Sequence, residues 1–320
     1  MKTVDNIHVF VSAIEEATPL VKRFTLRRLT GEKLPSFSGG SHVTVVMRGG
    51  ERTFRNPYSL LSSPRQTDSY EIAVRRDDRG RGGSTYMHSL VTVGTPLEIS
   101  HPVNSFPLSK LARKQILIAG GIGITPIMAM IEDLSLGMVD WELHYSARGP
   151  DDTVFADRLS ERHGDRVRLY ETAFGQRIDF HKLVGQQPLG THLYVCGPSL
   201  MILDAFAAAQ AAGWPPSHLH AEQFRAPPTG EPFEVHLAQA RKTMLVPADQ
   251  TLLEAIEAAG IDAASLCRNG VCGRCELNVL QLDGELIHND HFLTAKDRSS
   301  GTKIMPCVSR AKCRSLVLDR

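Results

Sequence analysis

The sequence predicts a multi-domain protein of mixed α/β and β class: an antiparallel barrel, then a parallel sheet flanked by helices, then a small compact fold. Three observations predict it. Short alternating strands punctuated by Gly, Pro and Ser fill residues 1–108. From 109 to 225 strands alternate with helices, the rhythm of a parallel sheet. Residues 226–232 then hold three prolines and a glycine, the composition of a stiff extended linker to the last segment, 233–320.

Whole-chain properties bound the function. A length of 320 residues suits two or three domains, and 42% apolar with 22% charged residues is ordinary for a soluble globular protein. A net charge of +1 gives no reason to expect nucleic acid or an anionic membrane as partner. The longest uncharged apolar stretch, Ile116 to Ile131, contains three glycines and a proline and is too short to span a bilayer. The N-terminus lacks the basic, apolar, small-residue pattern of a secretory signal, so a cytoplasmic protein is expected.

In the first segment the alternating runs are Ile7–Ile14, Val21–Leu29, His42–Met47, Tyr70–Val74 and Thr95–Ser100. Arg55-Asn56-Pro57-Tyr58-Ser59-Leu60 follows a strand. An arginine there can hold a phosphate, a tyrosine can lie against a ring and a serine can bond a ring nitrogen; the plain alternative is a turn set by Asn-Pro. Arg81-Gly82-Gly83-Ser84 leads into a helix, Ser84–Leu90, and offers a phosphate cradle at the helix start or simply a flexible loop.

In the second segment Gln115–Ala119 is an apolar strand and Pro126–Leu136 a helix, with Gly120-Gly121-Ile122-Gly123-Ile124-Thr125 between them. Glycines admit a pyrophosphate to the backbone, and a helix start attracts its charge. Thr125 reads as the helix N-cap, with Pro126 in the first turn. Proline stands where the dinucleotide fingerprint has its third glycine. Trp141–Ser146, Arg166–Thr172 and Thr191–Val195 read as strands, Val154–His163 and Ser199–Ala212 as helices. Cys196-Gly197-Pro198 ends an apolar strand before a helix, so both loops fall at the carboxyl ends of strands, where ligands of open α/β sheets sit.

The last segment opens with a hairpin, Phe233–Leu237 and Lys242–Val246, and a helix, Leu252–Ala259. Cys267-Arg268-Asn269-Gly270-Val271-Cys272-Gly273-Arg274-Cys275 follows, and 31 residues separate Cys275 from Cys307. This C-x4-C-x2-C…C spacing is that of a plant-type 2Fe-2S cluster. A zinc site would more often pair two short C-x2-C knuckles. A disulfide framework does not suit six cysteines in 320 residues. His288 and His291 read as solvated loop residues, because four thiolates already complete the cluster. Arg268 and Arg274 flank the ligands as a candidate docking rim, or merely solvate the loop. Cys313 reads as a packing residue.

Taken in order, these motifs resemble the phthalate dioxygenase reductase family, within the ferredoxin–NADP reductase superfamily. The resemblance covers nearly the whole chain and rests on Arg55…Tyr58-Ser59, Gly82-Gly83-Ser84, Gly121–Pro126, Cys196-Gly197-Pro198, Glu222-Gln223-Phe224 and the four cysteines. It implies an antiparallel flavin-binding barrel, a parallel-sheet nucleotide-binding domain and a β-grasp-like plant-type ferredoxin domain. It also implies that Arg55, Gly82, Gly83 and Ser84 hold the phosphate of FMN, and that Tyr58 and Ser59 contact its ring. Gly121, Gly123 and Thr125 would bind NADH, and Cys196, Gly197 and Pro198 would border the nicotinamide. Glu222 would orient the carboxamide and Phe224 would cover the flavin. Cys267, Cys272, Cys275 and Cys307 would ligate the cluster. One departure stands out: the superfamily pattern is Arg-x-Tyr-Ser, and here two residues separate Arg55 from Tyr58. Either the segment carries an insertion or Arg55 is displaced.

A nicotinamide gives two electrons as hydride and a 2Fe-2S cluster accepts one, so a flavin must stand between them. The expected path runs from NADH through FMN and the cluster to a separate terminal oxygenase, of the Rieske non-haem iron type, with the reductase itself a monomer. Alternatives are service to a haem monooxygenase, a stand-alone quinone or ferric reductase, or a non-enzymatic zinc-stabilised binding protein. Arg148 could meet the 2′-phosphate of NADPH, while Asp151 and Asp152 would repel it; the resemblance favours NADH. The last segment balances 11 basic against 11 acidic residues, so its charge names no partner.

Overall fold

The computed structural model describes residues 6–50, 52–149, 152–224 and 229–320. Residues 226–228 of the expected linker, and Asp151, lie outside these. The chain divides into two compact units, one ending at Phe224 and the other running through the C-terminal residues to Arg320.

The first unit begins with the barrel. Strands β1 (Ile7–Thr18), β2 (Val21–Arg28), β3 (Ser41–Gly49), β4 (Arg52–Ser59), β5 (Tyr70–Arg75) and β6 (Pro96–Ile99) are ordered β4-β3-β6-β1-β2-β5, all neighbours antiparallel. The two-residue β7 (Val103–Asn104) lies beside β3. Just past β4, Leu60 bridges Ile72 of β5 and the Leu61 N–H donates to the Glu71 carbonyl, so the two ends of the order meet and the sheet closes. Val9, Phe24, Val45, Met47, Tyr70 and Ile72, fully buried, fill the interior. The Asn56-Pro57 segment, which reads locally as a turn, is part of β4. Pro57 sits opposite Thr44 in an outermost strand, where a missing N–H breaks no ladder. A helix, α1 (Gly83–Ser89), follows β5.

The parallel sheet comes next in the same unit. It comprises β8 (Lys114–Gly120), β9 (Asp140–Ala147), β10 (Val167–Glu171), β11 (Thr191–Cys196) and β12 (Leu219–Glu222), with helices α2 (Ile124–Leu134), α3 (Ala156–His163), α4 (Phe180–Val184) and α5 (Ser199–Ala211). Its order is β10-β9-β8-β11-β12, every neighbour parallel. The chain winds outward in one direction from β8 to β10 and then crosses to β11 on the other side. The switch point therefore lies between β8 and β11, the position where such sheets bind ligands. Ile116, Leu117, Ile118 and Ala119 are fully buried, as a central parallel strand requires. Barrel and sheet share a core in which Val21, Leu61, Ala73 and Phe106 pack with Leu117, Ile127 and Met130. Asp133 of α2 accepts the Gly39 N–H at 2.6 Å, tying that helix to the barrel.

The second unit holds β13 (Phe233–Leu237), β14 (Lys242–Val246), α6 (Leu252–Ala258), β15 (Leu277–Ile287), α7 (Ala295–Ser300), β16 (Lys303–Ile304) and β17 (Arg310–Leu318). The sheet order is β14-β13-β17-β15-β16, with β13 and β17 parallel and the other pairs antiparallel. Thr251 and Glu254 close a capping box at the start of α6, and Leu252, Leu253 and Ile256 bury its inner face. Cys313 lies opposite Gly284 at a register shift in the β15–β17 ladder, half-buried against the core. A side chain at Gly284 would strike the Cys313 backbone at 2.7 Å. No helix among the described residues is long and apolar enough to cross a membrane.

Candidate functional site

Three sites emerge, two in the first unit and one in the second. The first lies between β4 and α1. The β3–β4 register runs unbroken from Arg52 to Ser59, so no bulge absorbs the additional residue of this segment. Side chains alternate along a strand, which places Asn56 and Tyr58 on one face and Arg55 and Ser59 on the other. Asn56, two before Tyr58, thus occupies the position that the superfamily pattern gives to arginine. Its Nδ2 donates to the Tyr58 hydroxyl at 3.3 Å, and burial pushes that phenol up to about 12. Gly83 packs so tightly on the Asn56 amide that any side chain there would collide with it.

Gly82, with φ of 101°, is the N-cap of α1 and supplies no side-chain cap. The first-turn N–H groups are left without intrahelical acceptors, the arrangement that receives a phosphate. The Ser84 hydroxyl is turned elsewhere: it accepts the Asp77 N–H at 3.1 Å and lies 3.4 Å from the Asp77 carbonyl. Ser59 is buried at the end of β4.

The second site is the switch-point crevice. A 3-10 turn, Gly121–Gly123, joins β8 to α2, and the N-cap is Gly123, not Thr125. Thr125 lies inside the helix, buried, with its hydroxyl donating to the Ile122 carbonyl at 3.0 Å. The helix starts two residues before the proline because the glycines themselves turn the chain. Gly120 and Gly123 are needed for closeness. A side chain at Gly120 would lie 2.6 Å from Pro198 Cδ and 3.1 Å from the Gly197 Cα, and one at Gly123 would strike the Cys196 carbonyl. Gly121 is needed for its φ of 54°, and nothing lies within 4 Å of where its side chain would be. The loop therefore presents open backbone at Gly121 while locking against Cys196–Pro198.

Cys196 is fully buried, and burial with the nearby Glu222 carboxyl pushes its thiol well above the ordinary range. Burial raises Glu222 to about 8, and its Oε2 has no hydrogen-bond partner. A buried, protonated carboxyl with a spare oxygen at the end of β12 suits a carboxamide. Gln223 donates to the Ser199 hydroxyl, fixing this strand end to α5. Phe224, two residues beyond Glu222, is 46% exposed. At the β9 end Arg148 is exposed. Asp152 pairs with Arg75 at 3.3 Å, so its charge is engaged rather than poised against a 2′-phosphate.

The third site is the cysteine loop. Its sulfurs form two pairs: Cys267 with Cys272, joined by a hydrogen bond, and Cys275 with Cys307, whose sulfurs lie 3.3 Å apart. The Cys272 thiol and the backbone N–H groups of Asn269, Val271 and Cys272 favour the Cys267 thiolate and push its thiol below the ordinary range. Among the described residues no three His, Cys, Asp or Glu side chains converge as a mononuclear site would require. Two thiol pairs fit a binuclear cluster with two thiolates on each iron. Gly270 and Gly273, both at φ of 72°, carry the loop past Val308 and Phe292, where side chains would collide. Cys307 lies in the turn between β16 and β17.

Surrounding contacts correct two expectations. Arg268 is no docking rim: it forms a two-pronged ion pair with Glu257 of α6 and is largely buried. His288 is not solvated; its ring is 11% exposed and stands 3.6 Å from the Asp290 carboxylate. His291 is exposed, and its N–H donates to the Gly270 carbonyl. Asp290 had no sequence signal. Its fully buried carboxylate accepts the Leu293 N–H at 2.8 Å and the Ser309 hydroxyl at 3.2 Å, linking the segment over Gly270 to the turn that carries Cys307.

Residues 99–219 match a family model described as the N-terminal domain of dimethylamine monooxygenase subunit DmmA-like proteins, and residues 235–312 match a 2Fe-2S iron-sulfur cluster binding domain. The chain is 44% identical over 314 residues to the heme-dependent oxidative N-demethylase beta subunit of Ectopseudomonas mendocina (strain ymp), covering 98% of each chain. It is 42% identical over 324 residues to the carnitine monooxygenase reductase subunit of Escherichia coli (strain K12), covering all of both. Among solved structures, phthalate dioxygenase reductase, described as a modular structure for electron transfer from pyridine nucleotides to [2Fe-2S], superimposes with a TM-score of 0.86 at 32% identity and 98% coverage of each chain.

Proposed function

Because this chain belongs to the phthalate dioxygenase reductase family of oxygenase reductase components, we propose that it transfers electrons from NADH, by way of FMN and a 2Fe-2S cluster, to a separate terminal oxygenase. A flavin supplies the exchange between two-electron and one-electron chemistry that nicotinamide and cluster cannot make directly. The observation that carries the reading is the two thiol pairs, in a chain that also holds a glycine-locked crevice at the switch point of a parallel sheet.

The chain's own residues bind, orient and exclude water. The first turn of α1 with Gly82 and Gly83 receives the FMN phosphate, while Tyr58 and Ser59 line the ring. Arg55 and Ser84 keep their assignment to the phosphate, the less directly because Arg55 is on the other face of β4 and Ser84 holds Asp77. Gly121, Gly123 and Thr125 hold the dinucleotide at the head of α2. Cys196, Gly197 and Pro198 border the nicotinamide, and Glu222 keeps a proton at its carboxyl and engages the carboxamide. Phe224 covers the flavin. Cys267, Cys272, Cys275 and Cys307 would hold the cluster through their thiolates. The domain limits of this reading are 1–108, 109–225 and 233–320, with 226–232 as linker.

The proposed partner is an oxygenase that acts on a small amine or aromatic compound, of the Rieske non-haem iron type. A haem oxygenase is the second reading, favoured by the 44% identical N-demethylase subunit. A monomeric, cytoplasmic protein with no nucleic-acid or membrane partner belongs to the same proposal. The test is the purified full chain titrated anaerobically with NADH. FMN, iron and sulfide should be present, and flavin and cluster absorbance should bleach together. A colourless protein, or a flavin that NADH leaves oxidised, would sink the proposal. Mixing with candidate oxygenases of each class then identifies the acceptor.

A further inference from the structure

Arg268 stands next to the first cluster cysteine and has a φ of 53°, a left-handed conformation that few residues other than glycine adopt. Something must hold it there. Its Nη1 donates to Glu257 Oε2 at 3.2 Å, its Nη2 donates to Glu257 Oε1, and Nη2 also lies 3.3 Å from the Ser265 hydroxyl. The two side chains are only 12% and 14% exposed. Such a pair contributes little by Coulomb attraction beyond its desolvation cost, but it fixes geometry, and each charge cancels the other where water screens poorly.

We propose that Glu257 and Arg268 form a charge-neutral clamp that positions the cysteine loop against α6 and sets the electron affinity of the cluster. The proposal rests on the cluster reading above. One electron added to a cluster adds one negative charge, so net charge close by shifts its reduction equilibrium. The clamp places a cation on the residue next to Cys267 and an anion in contact with that cation. Neither Glu257 nor Arg268 ligates a metal; both act through the loop and are positioning residues.

Redox titration of the full chain with dithionite and mediators, followed by electron paramagnetic resonance, tests this without NADH turnover. Glu257→Gln leaves the arginine uncompensated and should favour the reduced cluster about tenfold, ~59 mV upward for one electron. Arg268→Gln removes the cation beside Cys267 and should shift the equilibrium by about the same factor in the other direction. Arg268→Lys keeps the charge and should stay close to wild type in potential. Opposite shifts in the two neutralised variants support the clamp. Shifts of the same sign, or unchanged potentials beside a lowered melting temperature, overturn it in favour of plain structural support. Wild-type protein that holds no iron or sulfide after anaerobic reconstitution defeats the cluster reading, and the clamp with it.

Discussion

Cys196 and Glu222 end neighbouring parallel strands in direct register, and the Glu222 carboxyl adds to the burial that keeps the Cys196 thiol protonated. Glu222 itself is raised from 4.5 to about 8, first and only by burial. Its folded pKa exceeds its unfolded one, so the unfolded chain releases this proton earlier. Stability is unaffected below 4.5, falls as pH rises from there to about 8, and then levels off. Glu222→Gln should remove that slope and gain roughly 2–4 kcal/mol on wild type between pH 5 and pH 8. Urea unfolding at the two pH values measures it; parallel slopes would show that Glu222 is solvated.

Two glycines in one loop should fail differently. Gly123→Ala drives a methyl group into the Cys196 backbone and should lose roughly 1–3 kcal/mol of stability. Gly121→Ala meets no neighbour, costs about 1–2 kcal/mol for its positive φ, and puts the methyl on the open side of the crevice. Its KM for NADH should rise about tenfold, out of proportion to its melting temperature. An unchanged KM would mean that the dinucleotide does not pass over Gly121.

Asn56→Ala deletes the donor to Tyr58 and the surface on which Gly83 packs. A neutral hydrogen bond contributes about 0.5–1.5 kcal/mol, so FMN should dissociate up to about tenfold more readily. Fluorescence of released flavin on dilution reports it. Wild-type retention in this variant would remove Asn56 from the flavin site.

Asp290→Ala takes away a buried carboxylate that holds Leu293 and Ser309. The expected loss is roughly 2–4 kcal/mol, with faster bleaching of the visible absorbance in air because the Cys307 turn loosens. Equal bleaching rates in variant and wild type would restrict Asp290 to general stability.

The sequence made local features legible and distant ones invisible. Cys267, Cys272 and Cys275 lie within one loop, so their spacing alone carries the chemistry. The hairpin Phe233–Leu237 and Lys242–Val246 was readable to the residue because its alternation is clean. β4 was hidden by Asn56-Pro57, which signals a turn unless the strand is known to lie at an outer position. β15 and β17 were hidden by charges on weakly alternating strands and by a register shift at Gly284. The face carrying Tyr58 follows from an unbroken ladder with β3, and the clamp on Arg268 joins residues eleven apart across a helix and a loop. Thr125 misled because threonine before proline resembles a cap, whereas the glycine turn had already started the helix.

The two walls of the switch-point crevice come from adjacent strands that are far apart in the chain: β8 ends at Gly120 and β11 begins at Thr191, about seventy residues later. Pairing them closes a long loop, a slow step in assembly. A chain emerging from the ribosome thus carries the glycines of this loop well before anything can lock them in place. Coenzyme affinity should be acquired late and all at once, making nucleotide retention a sensitive reporter of complete folding in this unit.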